Sequence, residues 1–266
     1  MATTTWTKCL SFLFLISLTF SAYSEEQKKT DNVSKKAKAQ KVAWSYQGET
    51  GPENWANLSK DNYACSHGVN QSPIDIKKAV DAKLKGIEYD YGMIIGERVI
   101  NNGHTIQIDV RSGGTIQIDG KEFALKQFHY HSPSEHQING KSFPLEVHFV
   151  HQSADGQLAV VAMPFKMGLR DPIIDIITGK KPLKPGESRQ LGPKDLVALE
   201  TTKKLKGYER YNGSLTTPPC TEGVIWIMKK TYLRLAQDQL VKMRYLLGNK
   251  PNNRPVQPLN ARVIMD

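Results

Sequence analysis

The run His104-Thr-Ile-Gln-Ile-Asp-Val110 alternates apolar and polar side chains, Arg111-Ser-Gly-Gly114 interrupts it, and Thr115-Ile-Gln-Ile-Asp119 alternates again. Period-two alternation sends successive side chains to opposite faces of a pleated strand, so this stretch is read as β. The repeated Thr-Ile-Gln-Ile-Asp is better explained as two arms of one hairpin than as a solenoid repeat. Working outward, strands are expected over 124–131, 143–151 and 157–165, with turns at Asp119-Gly and Asp155-Gly. Helical patterns are short, over 171–178, 194–203 and 234–246, the last with Leu235, Leu240, Val241 and Tyr245 as its apolar residues. Many strands and few helices predict a mainly β domain over 42–266, one large sheet with short peripheral helices. No glycine-rich phosphate loop, serine nucleophile elbow or His-Glu-x-x-His motif is present.

The charge balance is 36 Lys+Arg against 26 Asp+Glu over 266 residues. Part of the excess sits in 25–41, which holds six lysines and three acids without periodicity and is read as a disordered tail. A mildly basic globule with such a tail does not imply a nucleic-acid partner. Ahead of the tail, Lys8, the apolar stretch Leu10 to Phe20 and the Ala22-Tyr23-Ser24 site read as a signal peptide over 1–24. The apolar stretch is too short to span a bilayer as a helix, so no stable membrane insertion is expected after cleavage; a retained anchor would need the flanking threonines and serines. Cleavage leaves Cys65 and Cys220 as the cysteines, and an even pair in an oxidising compartment predicts a disulfide, with two separate buried thiols as the alternative. Its loop of about 155 residues is worth roughly 5 kcal/mol in the chain-entropy model. Signal and cysteines together predict a periplasmic or secreted protein.

All seven histidines lie between 67 and 151. In Gln127-Phe-His-Tyr-His131 the strand period puts His129 and His131 on one face, with Phe128 and Tyr130 opposite. The next strand, Leu145-Glu-Val-His-Phe-Val-His151, offers His148 with Glu146 and Val150 on its own face. If the two strands pair, three imidazoles converge, and three neutral nitrogens leave the fourth tetrahedral position of Zn²⁺ open, as in a catalytic site. Paired strand histidines are also common as plain surface residues. Gln127 and Glu146 favour the metal, because each lies two residues from a ligand and can bind its other ring nitrogen. His136 and His151 are read as structural or surface residues, and His67 is given no role. Strict alternation would group His104 with Ile106 and Ile108, an apolar face where a packed histidine is the bland reading.

Eight segments in order now carry a resemblance: Gly51-Pro-Glu-Asn-Trp55, Asn70-Gln-Ser-Pro-Ile-Asp75, Asn101-Asn-Gly-His104, Gln127-Phe-His-Tyr-His131, Ser134-Glu-His136, Glu146-Val-His148, Gly213-Ser-Leu-Thr-Thr-Pro-Pro219 and Asn252-Asn-Arg-Pro-Val-Gln257. The chain resembles the α-class carbonic anhydrases, particularly the secreted bacterial ones, from Trp44 almost to its C-terminus. The resemblance implies a largely antiparallel, twisted ten-stranded sheet and a zinc enzyme that interconverts CO₂ and bicarbonate. It implies that His129, His131 and His148 bind zinc. Thr216 would accept from zinc-bound hydroxide and donate to Glu135, and its backbone N–H would hold bicarbonate with Thr217 nearby. Val150, Val160, Leu215, Val224 and Trp226 match the apolar wall where CO₂ rests. His104 matches the proton shuttle, Asn102 and Gln107 match residues that order water, and Tyr211 matches a tyrosine hydrogen-bonded near Thr216. Cys65 and Cys220 match the disulfide of secreted members.

Ser132 stands where many animal members carry Trp, and Gln107 where Asn is common. The tail lies outside the resemblance. Bacterial relatives are often dimers, so a homodimer is compatible with the resemblance, but no residue proves it. Two other readings remain at this point: a catalytically silent binding protein on the same fold, and a surface adhesin working through the basic tail. Silent relatives usually lose a zinc ligand, whereas this chain keeps all three with Thr216 and Glu135.

Overall fold

The computed structural model describes residues 43–90, 95–179, 181–192, 204–205 and 207–266. The signal peptide, the lysine-rich tail and the helix expected over 194–203 lie outside the described residues.

Among these residues the strands are β1 (Asp75–Ile76), β2 (Ile87–Asp90), β3 (Ile95–Asn101), β4 (Ile106–Ser112), β5 (Thr115–Ile118), β6 (Lys121–His131), β7 (Gln137–Ile138), β8 (Leu145–Gln152), β9 (Leu158–Met167), β10 (Ser188–Gln190), β11 (Lys204–Leu205), β12 (Tyr208–Ser214), β13 (Glu222–Lys229) and β14 (Leu233–Leu235). Twelve form one sheet along the path β10-β3-β4-β6-β8-β9-β13-β12, with β5, β2 and β11 branching from β6 and β14 from β9. Parallel β1 and β7 form a separate pair. The expected count was ten; the surplus includes short ladders such as β11, of two residues, and β10 and β14, of three. Most pairings are antiparallel, while β9 runs parallel to β13 and β14.

The hairpin expectation is corrected. β4 and β5 do not pair as two arms; both run antiparallel to β6, β4 through 107–109 and β5 through 115–118. The tight turn is Asp119-Gly120, at φ 51° and 83°, between Ile118 and its partner Lys121. Two successive positive φ values define the hairpin turn whose twist matches the strands, and Asp-Gly adopts it readily. Gly113 and Gly114, also at positive φ, instead join two consecutive segments along the same side of β6, where Leu125 N donates to Gly114 O.

The helices are α1 (Trp55–Leu58), α2 (Ala64–His67), α3 (Pro172–Thr178) and α4 (Gln237–Leu246). Asp171 caps α3 by accepting from the N–H groups of Ile173 and Ile174, and Pro172 occupies the first turn, where no intrahelical donor is needed. Buried Gln239 of α4 accepts from Asp171 N and donates to Asp171 O, which fastens the two helices together.

The sheet sorts its side chains into two cores. Phe128, Tyr130, Val147, Phe149 and Val161 pack on one face, while Val160, Ala162, Tyr211, Val224 and Trp226 pack on the other. Phe128 and Tyr130 thus turn away from the imidazole face, as the strand period requires.

Candidate metal centre

Strands β6 and β8 are antiparallel neighbours, and their register sets His129 opposite His148 and His131 opposite Glu146. Directly opposed residues share a face and stand about 5 Å apart. The three imidazole centroids are accordingly 5.0 Å (His129–His131), 5.3 Å (His129–His148) and 4.6 Å (His131–His148) apart. One ring nitrogen from each lies within 4.8 Å of the others, close enough for one ion.

The remaining nitrogens decide which atoms face that ion. His129 Nδ1 donates to Gln127 Oε1 at 2.8 Å, His131 Nδ1 to the Asn252 carbonyl at 2.7 Å, and His148 Nε2 to Glu146 Oε1 at 2.6 Å. Nε2 of His129, Nε2 of His131 and Nδ1 of His148 remain for a metal. His131 Nε2 is buried without a hydrogen-bond partner. A buried polar nitrogen left unpaired costs roughly 1–3 kcal/mol, so an electrophile is the natural occupant. Burial pushes the His129 imidazole well below its ordinary titration range, with His131 and His148 adding to the effect; burial also lowers His131. Both are therefore neutral, the form in which imidazole binds a metal. These donors fit Zn²⁺, which takes neutral histidine nitrogens and here would retain an open position.

Glu146, fully buried, also accepts from His136, through Nδ1 at 2.7 Å and through the backbone N–H at 3.1 Å. Burial alone would raise its carboxyl, but His136 and His148 together outweigh that and hold it below the usual carboxylate range. The grouping of His136, Glu146 and His148 is thus a hydrogen-bonded chain that braces one ligand. It continues from His136 Nε2 to the Tyr211 hydroxyl at 2.7 Å and on to Ser72 Oγ at 3.0 Å. The structural reading of His136 stands, and the Tyr211 hydroxyl spends these bonds on His136 and Ser72.

Glu135 is 1% exposed. Its Oε1 accepts from Arg254 N at 2.9 Å, while Oε2 lies 3.5 Å from His131 Nε2 and 3.9 Å from His148 Nδ1. Oε2 has no hydrogen-bond partner, so the bond expected from Thr216 is not made in this structure. Thr216 itself is buried. Thr217 lies beside it, its carbonyl accepting from Cys220 N at 2.8 Å, and Cys220 is bonded to Cys65, as expected. Val160, Val224 and Trp226 are buried in one cluster against which Val150 and Leu215 pack, and the Trp226 ring centroid is 5.0 Å from that of His148.

His104 departs from the alternation argument because β4 begins only at Ile106. Asn102 Oδ1 accepts from the N–H groups of His104 and Thr105, both at 2.9 Å, and so turns the chain just before the strand. The imidazole leaves the apolar face, stacks on Trp44, and borders a surface cavity of about 320 Å³ with Lys250 and Asn252. Gln107 sits opposite His129 in the β4–β6 register, but its amide is held by Asp109 at 2.6 Å.

Two residues quoted in the resemblance had been given no role. Asn252 holds His131 through its carbonyl, Ser132 N through Oδ1, and the carbonyls of His104 and Tyr130 through Nδ2. Arg254 holds Glu135. Both lie on a segment without regular structure, where hydropathy patterns give no signal.

Three imidazoles that could hold one metal ion thus stand on two antiparallel strands, beside a buried carboxylate. The eukaryotic-type carbonic anhydrase family model matches residues 50–266, and the chain belongs to that family. A carbonic anhydrase of Neisseria gonorrhoeae is 44% identical over 224 residues, covering 84% of this chain and 87% of the relative. A hyperthermostable carbonic anhydrase identified from a hydrothermal vent chimney superposes with a TM-score of 0.78 at 48% identity, over 84% of this chain and 99% of that one. The α-carbonic anhydrase of Thermovibrio ammonificans, solved with sulfanilamide, gives 0.76 at 43% identity, over 84% and 99%.

Proposed function

We propose that this chain is a zinc enzyme that hydrates CO₂ reversibly to bicarbonate and a proton. The observation that carries this reading is the division of labour within the three imidazoles: one nitrogen of each is tied to an oxygen acceptor and the other is left facing a common point. Bound at His129, His131 and His148, Zn²⁺ would act as a Lewis acid that brings the pKa of water to about 7, a figure for which carbonic anhydrase is itself the reference case.

The chain's own groups do the rest. Glu135 Oε2, without a hydrogen-bond partner, would accept a hydrogen bond from the Thr216 hydroxyl, so that Thr216 offers only lone pairs to the reacting oxygen and turns that oxygen's own proton away from CO₂. The wall of Val150, Val160, Leu215, Val224 and Trp226 receives an apolar substrate that needs no charged group and excludes competing water. The Thr216 N–H and Thr217 hold the anionic product. His104, which burial keeps below its ordinary titration range, is neutral near pH 7 and takes the released proton toward the adjoining cavity.

Among the described residues no helix is long and apolar enough to cross a membrane. With the Cys65–Cys220 disulfide, the reading of 1–24 as a signal peptide supports a periplasmic or secreted enzyme, with 25–41 as a tail ahead of the domain that follows. The deciding experiment is stopped-flow CO₂ hydration before chelation, after it, and after zinc is returned. Activity that disappears and comes back with zinc is expected; a folded, zinc-loaded protein without activity would favour the silent binding protein instead.

A further inference from the structure

Arg254 is 1% exposed, yet among the described residues its guanidinium meets no carboxylate. Nη1 donates to Gln71 Oε1 at 2.9 Å and to the Ser72 carbonyl at 2.8 Å, and Nη2 donates to the Cys65 carbonyl at 2.7 Å. All three acceptors are neutral. A buried cation is ordinarily paired with a counter-charge, because its desolvation is costly. The carboxylate served by this residue is Glu135, and the link is the Arg254 backbone N–H on Oε1. The guanidinium fixes that N–H by fastening the strap 252–254 to the segment that carries the disulfide and to Ser72.

We infer that Arg254 is a positioning residue for Glu135: it occupies Oε1 and so keeps Oε2 aimed between His131 Nε2 and His148 Nδ1. The inference rests on the reading that Glu135 takes part in hydration. Burial draws the guanidinium down to about 10 and the Glu135 charge opposes that fall, so the arginine remains a cation at neutral pH.

The test is a double-mutant cycle on the zinc-loaded full chain, with zinc stoichiometry and thermal midpoint measured for each variant. Arg254→Met should lower kcat/KM for CO₂ by about 10–100-fold, the range for removing a group that orients the reacting residues, with zinc content unchanged. In a Glu135→Gln background the same substitution should change kcat/KM little, since its target is already lost. Arg254→Lys keeps the charge without the three-way fork and serves where the methionine variant does not fold; it too should lose kcat/KM only when Glu135 is present. An equal loss in both backgrounds, a loss that tracks zinc, or wild-type kcat/KM in Arg254→Lys would overturn the inference alone. Wild-type kcat/KM in Glu135→Gln would remove the role of Glu135 and this inference with it.

Discussion

The ring of His104 lies flat on Trp44, with centroids 3.7 Å apart and planes 9° from parallel. The stack gives the imidazole a fixed seat at the edge of a cavity without burying it among the aliphatic side chains of β4. A group placed there can exchange protons with solvent.

The first prediction follows. His104→Ala should lower kcat for CO₂ hydration in weak buffer by up to about 100-fold, within the effect of a positioned acid–base group. The ratio kcat/KM should hold, because the proton leaves after CO₂ has reacted, and added imidazole should restore kcat. Because burial lowers the His104 pKa, the shuttle loses its neutral form only on the acid side of about 6.5. Its limb of the kcat–pH profile belongs there. Loss of kcat/KM in stopped-flow assays would count against a shuttle.

The metal assignment is tested separately. His131→Ala should abolish stoichiometric zinc, and retained metal would exclude His131 as a ligand. Gln127→Ala leaves all three ligands but frees His129 Nδ1, so chelator competition should show zinc affinity weakened by about 10–100-fold.

His151, fully buried on β8, is held down to about 3 by burial. Between pH 6.5 and 3 the unfolded chain binds a proton there that the folded chain does not, so stability falls as pH falls through this window. Each unit is worth at most about 1.4 kcal/mol. In urea unfolding at pH 7, 5.5 and 4.5, His151→Gln should lose stability less steeply than the parent chain. Parallel curves would rule this out.

Gly213 is required by space. A Cβ there would lie 2.8 Å from Trp226 Cδ1 and 2.9 Å from Tyr211 Cε2, with Ser72 Oγ closer still. Gly213→Ala should cost about 1–3 kcal/mol, typical of overpacking. It should also disturb the Ser72–Tyr211–His136 chain, so near-ultraviolet dichroism should change with the denaturation midpoint. An unchanged midpoint would show that strand β12 yields freely at Gly213.

What the sequence disclosed of this site was its strand-borne part. His129, His131, His148, Gln127 and Glu146 sit on regular strands, where a period of two settles which residues share a face. Residues on turns were another matter. Gly113-Gly114 and Asp119-Gly120 both read as turns and both carry two successive positive φ values, so only the strand pairing separates the joint between β4 and β5 from the reversal between β5 and β6. Alternation alone would group His104 with Ile106 and Ile108, because nothing in it marks Asn102 as the residue that delays the strand; the shuttle reading came from the resemblance. Asn252 and Arg254 act from a non-periodic segment, through contacts 121 and 119 residues distant in the chain.

That distance sets an order of events during synthesis. All three imidazoles exist once residue 148 has been made, but the acceptor that orients His131 arrives 121 residues after it. From residue 148 to residue 252 is 104 residues, roughly 5–21 s at ribosomal rates of about 5–20 residues per second. Throughout that interval, His129 and His148 have their acceptors Gln127 and Glu146 in the emerging chain, whereas His131 lacks the carbonyl that fixes its tautomer. The arrangement of the three imidazoles is therefore completed only when residues 252–254 dock, and a chain cut short before Pro251 keeps the three histidines without the acceptor of His131.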